Sequence, residues 1–202
     1  MYQRGRGVDV NCKKAIEWLG KVAEQGYADA QYNLGIMYYN GRGVDVNYKK
    51  AFEWYEKAAK QGHAGAQYNL GIMYEDGRGM DVNFKKAVEW YKKAAKQGHV
   101  SAQYNLGVMY NLGQGVDVNY KKAREWYEKA AEQGHADAQH GLGGMYHHGL
   151  GVDVNYKKAF EWLEKAAEQG DANAQCNLGI MYKDGQGAVS YTHLTLPTIH
   201  LV

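Results

Sequence analysis

The sequence predicts an all-α solenoid built from helix–loop–helix repeats of 36 residues, and three observations carry that prediction. Sliding the chain against itself by 36 residues brings Ala30-Gln31, Ala66-Gln67, Ala102-Gln103, Ala138-Gln139 and Ala174-Gln175 into register. Leu34-Gly35, Leu70-Gly71, Leu106-Gly107, Leu142-Gly143 and Leu178-Gly179 align in the same way, as do Trp18, Trp54, Trp90, Trp126 and Trp162. Inside one unit the apolar positions follow helical spacing, and no alternating strand pattern occurs. A fixed period in this range belongs to a solenoid or a propeller, and the helical interior selects the solenoid.

The unit 28–63 shows why each element forms. Ala30, Leu34, Met37 and Tyr38 trace one face of a first helix over 28–40. Gly41-Arg42-Gly43 stops it and turns the chain. Asn47 is a good N-cap for a second helix running from Tyr48 to about Gln61. Its expected buried side is Ala51, Trp54, Tyr55, Ala58 and Ala59, with Lys49, Glu53 and Lys57 on the wet side. Gly62 closes it as a C′ glycine. One hairpin cannot bury its stripe alone, so neighbours must stack. The Trp of each second helix is the expected anchor, and its truncation to Ala is expected to cost ~3–5 kcal/mol. Gly35 and its copies sit in mid-helix, which points to an approach too close for a Cβ.

The same register gives a partial repeat at 1–27 (the end of a first helix, a loop and a second helix). Full repeats follow at 28–63, 64–99, 100–135 and 136–171, then a partial repeat at 172–187 and a tail at 188–202. The chain of 202 residues carries 24 Lys+Arg against 22 Asp+Glu, a balance that leaves no electrostatic footprint for nucleic acid or an anionic membrane. A mean hydropathy of −0.64 without a long apolar run excludes a membrane-spanning helix, and 45% hydrophobic residues exclude a disordered chain.

The phrase Ala64-Gly65-Ala66-Gln67-Tyr68-Asn69-Leu70-Gly71-Ile72-Met73-Tyr74, then Gly77-Arg78-Gly79, Lys86-Ala87-Val88-Glu89-Trp90-Tyr91 and Lys93-Ala94-Ala95 resembles the Sel-1-like repeat family, a relative of the tetratricopeptide repeats. The likeness covers about residues 1–187. It implies a right-handed α/α superhelix whose first helices line the concave side. It also implies a non-enzymatic adaptor that binds a protein or peptide, mostly in bacteria. The family often has Pro after G-x-G-V. With the x-Asp that follows it in the family, that place is held here by Asp45 and Asn47, and likewise by Asp117 and Asn119, which keeps the cap chemistry but drops the φ restraint.

At the start, Met1-Tyr2 aligns with Met37-Tyr38, so the chain is expected to begin within a first helix, and the compartment (bacterial cytoplasm, periplasm or secreted) stays open. At the other end, Val189–Val202 resembles the translation of a transposon-type sequencing adapter and contains the single proline, Pro197. Residues 188–202 are therefore expected to be a non-native, disordered tail, and the coding DNA tests this.

Positions that differ between copies mark the surface open to function. Asp29/Gly65/Ser101/Asp137, Ile36/Ile72/Val108/Gly144, Tyr39/Glu75/Asn111/His147 and Asn40/Asp76/Leu112/His148 share a first-helix face opposite the Leu–Met–Tyr stripe. The binding candidates are Tyr32, Asn33, Tyr39, Tyr68, Asn69, Glu75, Tyr104, Asn105, Asn111, His140 and His147. Tyr offers rigid amphipathic area and Asn a two-way amide. The competing reading packs the tyrosines between repeats and bonds the asparagines to neighbouring backbone. A cell-wall glycan or peptidoglycan module, suggested by the Tyr-rich face, and a regulatory region of a larger enzyme are the alternative functions.

No catalytic, metal or cofactor site is predicted, and the chain is expected to be monomeric. His147 and His148 are adjacent and expected on different faces; neither they nor His140 have the spacing of a zinc motif. His63, His99 and His135 recur before each first helix, which favours capping or packing. Cys12 and Cys176 lie too many layers apart for a disulfide. Gly41-x-Gly43 joins two helices rather than following a strand, so it is no phosphate loop. Ser101 and Ser190 build no nucleophilic triad.

Overall fold

The computed structural model describes residues 11–187. The expectations for Met1-Tyr2 and for the tail at 188–202 lie outside the described residues. Among the described residues there are ten α-helices and no strand. The chain divides into two compact units, Met1–Lys129 and Ala130–Val202.

Unit 1 contains α1 (Cys12–Glu24), α2 (Ala28–Asn40), α3 (Tyr48–Lys60), α4 (Ala64–Asp76), α5 (Phe84–Lys96) and α6 (Val100–Leu112). The unit boundary falls within α7 (Tyr120–Glu132), and unit 2 continues with α8 (Ala136–His148), α9 (Tyr156–Glu168) and α10 (Ala172–Lys183). Even-numbered helices are the first helices of the repeats and odd-numbered ones the second. Within each unit, successive helices pack on one another.

Capping follows from side-chain chemistry at fixed phases. Asn47 Oδ1 accepts from Lys50 N–H at 3.0 Å, and Asn11, Asn83 and Asn155 repeat the bond at α1, α5 and α9. The first helices of the central repeats are capped by histidine: Nδ1 of His63, His99 and His135 accepts from the amides of Ala66, Ala102 and Ala138 at 3.1, 3.3 and 3.4 Å. Asp171 takes the same place before α10, at 2.8 Å from the Ala174 amide. At the α3 terminus Gly62 lies at φ +94°, and His63 N–H bonds the Ala58 carbonyl at 3.1 Å, which closes a Schellman motif.

The core is a layer of small residues around a tyrosine ring in the repeats at 28–63, 64–99 and 100–135. Ala51, Ala58, Ala59, Ala66, Leu70 and Met73 are buried around Tyr55. The rings of Tyr55, Tyr91 and Tyr127 lie on the glycines of their own first helices. A Cβ on Gly35 would stand 2.5 Å from Tyr55 Cδ1, and one on Gly107 2.6 Å from Tyr127 Cδ1. The expected close approach is present, and its partner is a tyrosine ring. The second glycine of each G-x-G turn has its own contact: a Cβ on Gly79 would stand 2.8 Å from the Tyr48 carbonyl carbon, one repeat earlier.

The tryptophans correct the expectation of an anchor. Trp18 is 66% exposed, whereas Trp54, Trp90, Trp126 and Trp162 are half-buried at the edge of the layer. Each of those four carries a lysine ammonium over its face, as with Lys57 at 4.1 Å from the Trp54 ring and Lys93 at 3.9 Å from Trp90. The next residue along, Tyr55 or Tyr91, points into the layer and is at most 1% exposed. One residue on a helix turns the side chain by about 100°, and that rotation separates anchor from rim.

A glutamine chain stitches the layers. Gln67 is 5% exposed; its Nε2 donates to the Ala59 carbonyl at 3.1 Å, and its Oε1 accepts from Gln97 Nε2 at 2.7 Å. Gln31 and Gln139 repeat both bonds. Each glutamine thus adds a second donor to a helix-end carbonyl that already accepts a glycine N–H, and ties three consecutive helices together.

Candidate functional site

The first-helix face is built by the side chains that the Leu–Met–Gly stripe leaves pointing away from the core. In unit 1, Tyr32 stacks on His63 with centroids 4.3 Å apart and lies 5.9 Å from Tyr55. Tyr68 repeats this on His99 at 4.5 Å and on Tyr91 at 5.9 Å. Tyr104 lies 5.8 Å from Tyr127. These three tyrosines are half-buried packing residues with one edge in solvent.

The asparagines and Glu75 serve the buried phenols. Tyr91 Oη donates to Glu75 Oε2 at 2.5 Å and is also bonded by Asn105, while Asn69 bonds Tyr55. Burial, the largest influence, pushes both phenols far above the ordinary tyrosine range, so they stay protonated. Asn33 is exposed and Asn111 half-buried. Tyr39 joins neighbouring repeats: its hydroxyl accepts from Arg78 at 2.6 Å, and Arg78 in turn pairs with Asp76 at 3.1 Å. Burial raises the Tyr39 pKa, against the lowering influence of Arg78.

A cleft of about 250 Å³ opens on this face between α2 and α4, lined by Ile36, Tyr39, Asn40, Tyr55, Asn69 and Ile72. Of the sequence-predicted residues it gathers Tyr39 and Asn69. Unit 2 has a cleft at the same phase of the repeat, about 190 Å³, lined by Gly144, His147, His148, Leu163, Asn177, Ile180 and Met181. His147 and His148, expected on different faces, both line it, with their rings 4.6 Å apart. His140 bonds Asn177 at 3.1 Å and stands behind the lining.

The histidines before the first helices are caps, and their Nδ1 acceptors must be unprotonated. Burial holds His99 below the ordinary histidine range, in agreement with that role. Among the described residues no three His, Cys, Asp or Glu side chains are grouped to hold a metal, and Cys12 and Cys176 are free thiols. No described helix is long and apolar enough to cross a membrane.

Sequence reasoning placed Ile36 and Asn40 on the variable first-helix face without naming them as binding candidates, missed Arg78 as a bridging residue, and assigned no role to the glutamines. The glutamine signal was present in the unvarying Ala-Gln of each first helix.

The Sel1 repeat family model matches residues 1–27, 28–63, 64–99, 100–135, 136–171 and 172–191. The chain belongs to the Sel1 repeat family. Among solved structures it is similar to a protective antigen present in uropathogenic Escherichia coli strains displaying an SLR fold, with 42% identity and a TM-score of 0.84 over 89% of this chain and 38% of that one. It is also similar to a Sel1 repeat protein from Oxalobacter formigenes, with 40% identity and a TM-score of 0.77 over 85% of this chain and 49% of that one. Cysteine rich protein B of Helicobacter pylori is a more distant likeness, at 28% identity and a TM-score of 0.52 over 66% of this chain and 97% of that one. The chain therefore spans less than half the length of the first two structures. No curated protein matches it. The fold is an all-helical Sel1 solenoid, a scaffold type that commonly mediates protein–protein interaction and is generally non-catalytic.

Proposed function

We propose that this chain is a non-enzymatic scaffold that binds an extended segment of a partner protein along its first-helix face. The observation that carries the reading is the contrast between copies. Buried positions such as Ala66, Gln67, Leu70, Gly71 and Met73 are the same in the repeats at 28–63, 64–99, 100–135 and 136–171. The outward positions 39/75/111/147 and 40/76/112/148 change chemistry from one repeat to the next, and 36/72/108/144 changes at its last copy, from branched aliphatic to Gly. These changing positions supply the lining of both clefts. A surface that changes along an otherwise constant stack presents a different set of contacts at each layer, which suits a chain with a defined order of side chains. Exposed Asn33 and Asn40 offer amides that pair with a peptide backbone in either direction.

The test is selection of random displayed peptides on the immobilised chain. Peptides that share a motif, and whose binding weakens at least about tenfold on Asn40→Ala or Ile36→Ala, support the reading. Peptides that respond instead to Lys49→Ala and Glu53→Ala on the second-helix face overturn it.

A further inference from the structure

The repeat at 136–171 departs from its neighbours in the layer that carries the buried ring. Position 163 is Leu where 55, 91 and 127 are Tyr, and position 144 is Gly where 36, 72 and 108 are Ile, Ile and Val. Leu163 is 1% exposed and lies on Gly143, whose Cβ would stand 2.7 Å from Leu163 Cγ. Leucine therefore fills the inner part of the space that a tyrosine ring takes elsewhere. The cleft of about 190 Å³ opens over Leu163, where the unit 1 cleft at the same phase is lined by Tyr55. A Cβ on Gly144 would meet no atom within 4 Å, so the glycine widens the mouth.

Polar groups stand at both positions that serve a phenol elsewhere: the asparagine is kept, and a histidine replaces the glutamate. In unit 1 the Tyr91 hydroxyl sits between Glu75 and Asn105. The corresponding positions in the repeat at 136–171 and the one after it are His147 and Asn177, and both line the cleft. The His147 ring lies 3.0 Å from Gln186 Oε1, and Asn177 Nδ2 lies 3.1 Å from His140 Nε2. The Asn177 amide has a second N–H and a carbonyl beyond that bond. Ile180 and Met181 supply apolar walls. The volume suits one aromatic ring, since a dry apolar cavity of about 150 Å³ holds benzene.

We propose that this cleft binds a phenol ring, the tyrosine side chain of a partner segment, in the place that Tyr55, Tyr91 and Tyr127 fill from within their own repeats. The proposal deepens the reading of the first-helix face as a peptide-binding surface and names the side chain that one part of it takes.

The test uses p-cresol, the tyrosine side chain as a free molecule, titrated into the methyl-labelled chain and followed by NMR. Saturable shifts of the Leu163, Ile180 and Met181 methyls are expected, with toluene bound about fivefold or more weakly for want of the hydroxyl. Leu163→Tyr and Gly144→Ile refill the cleft with side chains that other repeats already carry at these positions. Each should weaken p-cresol at least about tenfold. No saturable shift, equal affinity for toluene, or unchanged binding in both variants overturns the proposal. If Leu163→Tyr fails to fold, Gly144→Ile alone decides. No p-cresol binding to the unaltered chain, with peptide selection still sensitive to Asn40→Ala, sinks this inference and spares the broader one; the reverse pattern sinks only the broader one.

Discussion

Replacing Tyr91 and Trp90, one at a time, by Ala separates two accounts of what locks the repeats together. Tyr91 is 0% exposed, and its ring lies on Gly71 with its hydroxyl on Glu75 at 2.5 Å. A buried aromatic removes ~150–250 Å² from water. At ~25 cal/mol/Å² the whole side chain is worth ~4–6 kcal/mol, an upper figure because the unfolded chain is already partly collapsed. Truncation of buried aromatics costs ~3–5 kcal/mol once the cavity is included. Glu75 is half-buried and can turn to water when its donor is lost, so the missing hydrogen bond adds only ~1 kcal/mol. Trp90 packs against the cluster by one edge and keeps its lysine-covered face outside. Its truncation should cost ~1–2 kcal/mol. Urea unfolding followed by far-UV circular dichroism measures both, with the slope checked for constancy before midpoints are compared. A Trp90→Ala cost equal to or above that of Tyr91→Ala would refute the assignment of tyrosine as the anchor.

Other expected outcomes follow from the same geometry. Gly71→Ala should destabilise by ~1–3 kcal/mol, because its Cβ would enter the Tyr91 ring, whereas Gly179→Ala meets nothing within 4 Å and should stabilise by up to ~1 kcal/mol. Thermal melts of the two variants check the opposite signs. Gln67→Ala should cost ~1–2 kcal/mol by removing its bonds to Gln97 and to the Ala59 carbonyl, which keeps the Gly62 N–H, and the same unfolding assay reads it. Because burial lowers the His99 pKa, the cap it makes contributes stability that is present above the unfolded value of 6.5 and is lost as pH falls through the folded value. His99→Asp, which copies the carboxylate cap of Asp171, should flatten that part of the melting temperature's fall between about pH 7 and pH 5. An unchanged slope would show that the cap is not what titrates.

The fold could be read from the sequence because a repeat states each instruction several times. Asn47 and Asn83 at one phase mark helix starts, Gly41 and Gly77 mark stops, and Leu34 and Leu70 mark the buried stripe. The anchor was harder to see because Trp54 and Tyr55 are neighbours of similar size and the hydrophobic count favours tryptophan. Only the helix rotation relative to α2 and α4 decides which one faces inward, and that angle is set by packing between elements. The candidate site was legible as a face but not in its detail. Tyr32, Asn69 and Glu75 lie on that face, yet each also holds a partner inside the stack. Arg78 was missed because its role depends on a contact between repeats, which no single unit contains. The hollow beside Leu163 is visible in sequence only as a Tyr-to-Leu and an Ile-to-Gly difference; the structure shows that the two changes line one space.

The most direct measurement of the account is the side-chain NMR footprint of a selected peptide on this chain. Perturbations confined to the outward residues of the first helices, Asn33, Ile36, Tyr39, Asn40 and Ile72 among them, are the predicted result. A footprint on Lys49, Glu53 and Trp54 of the second helices, with the first-helix face unmoved, would contradict it.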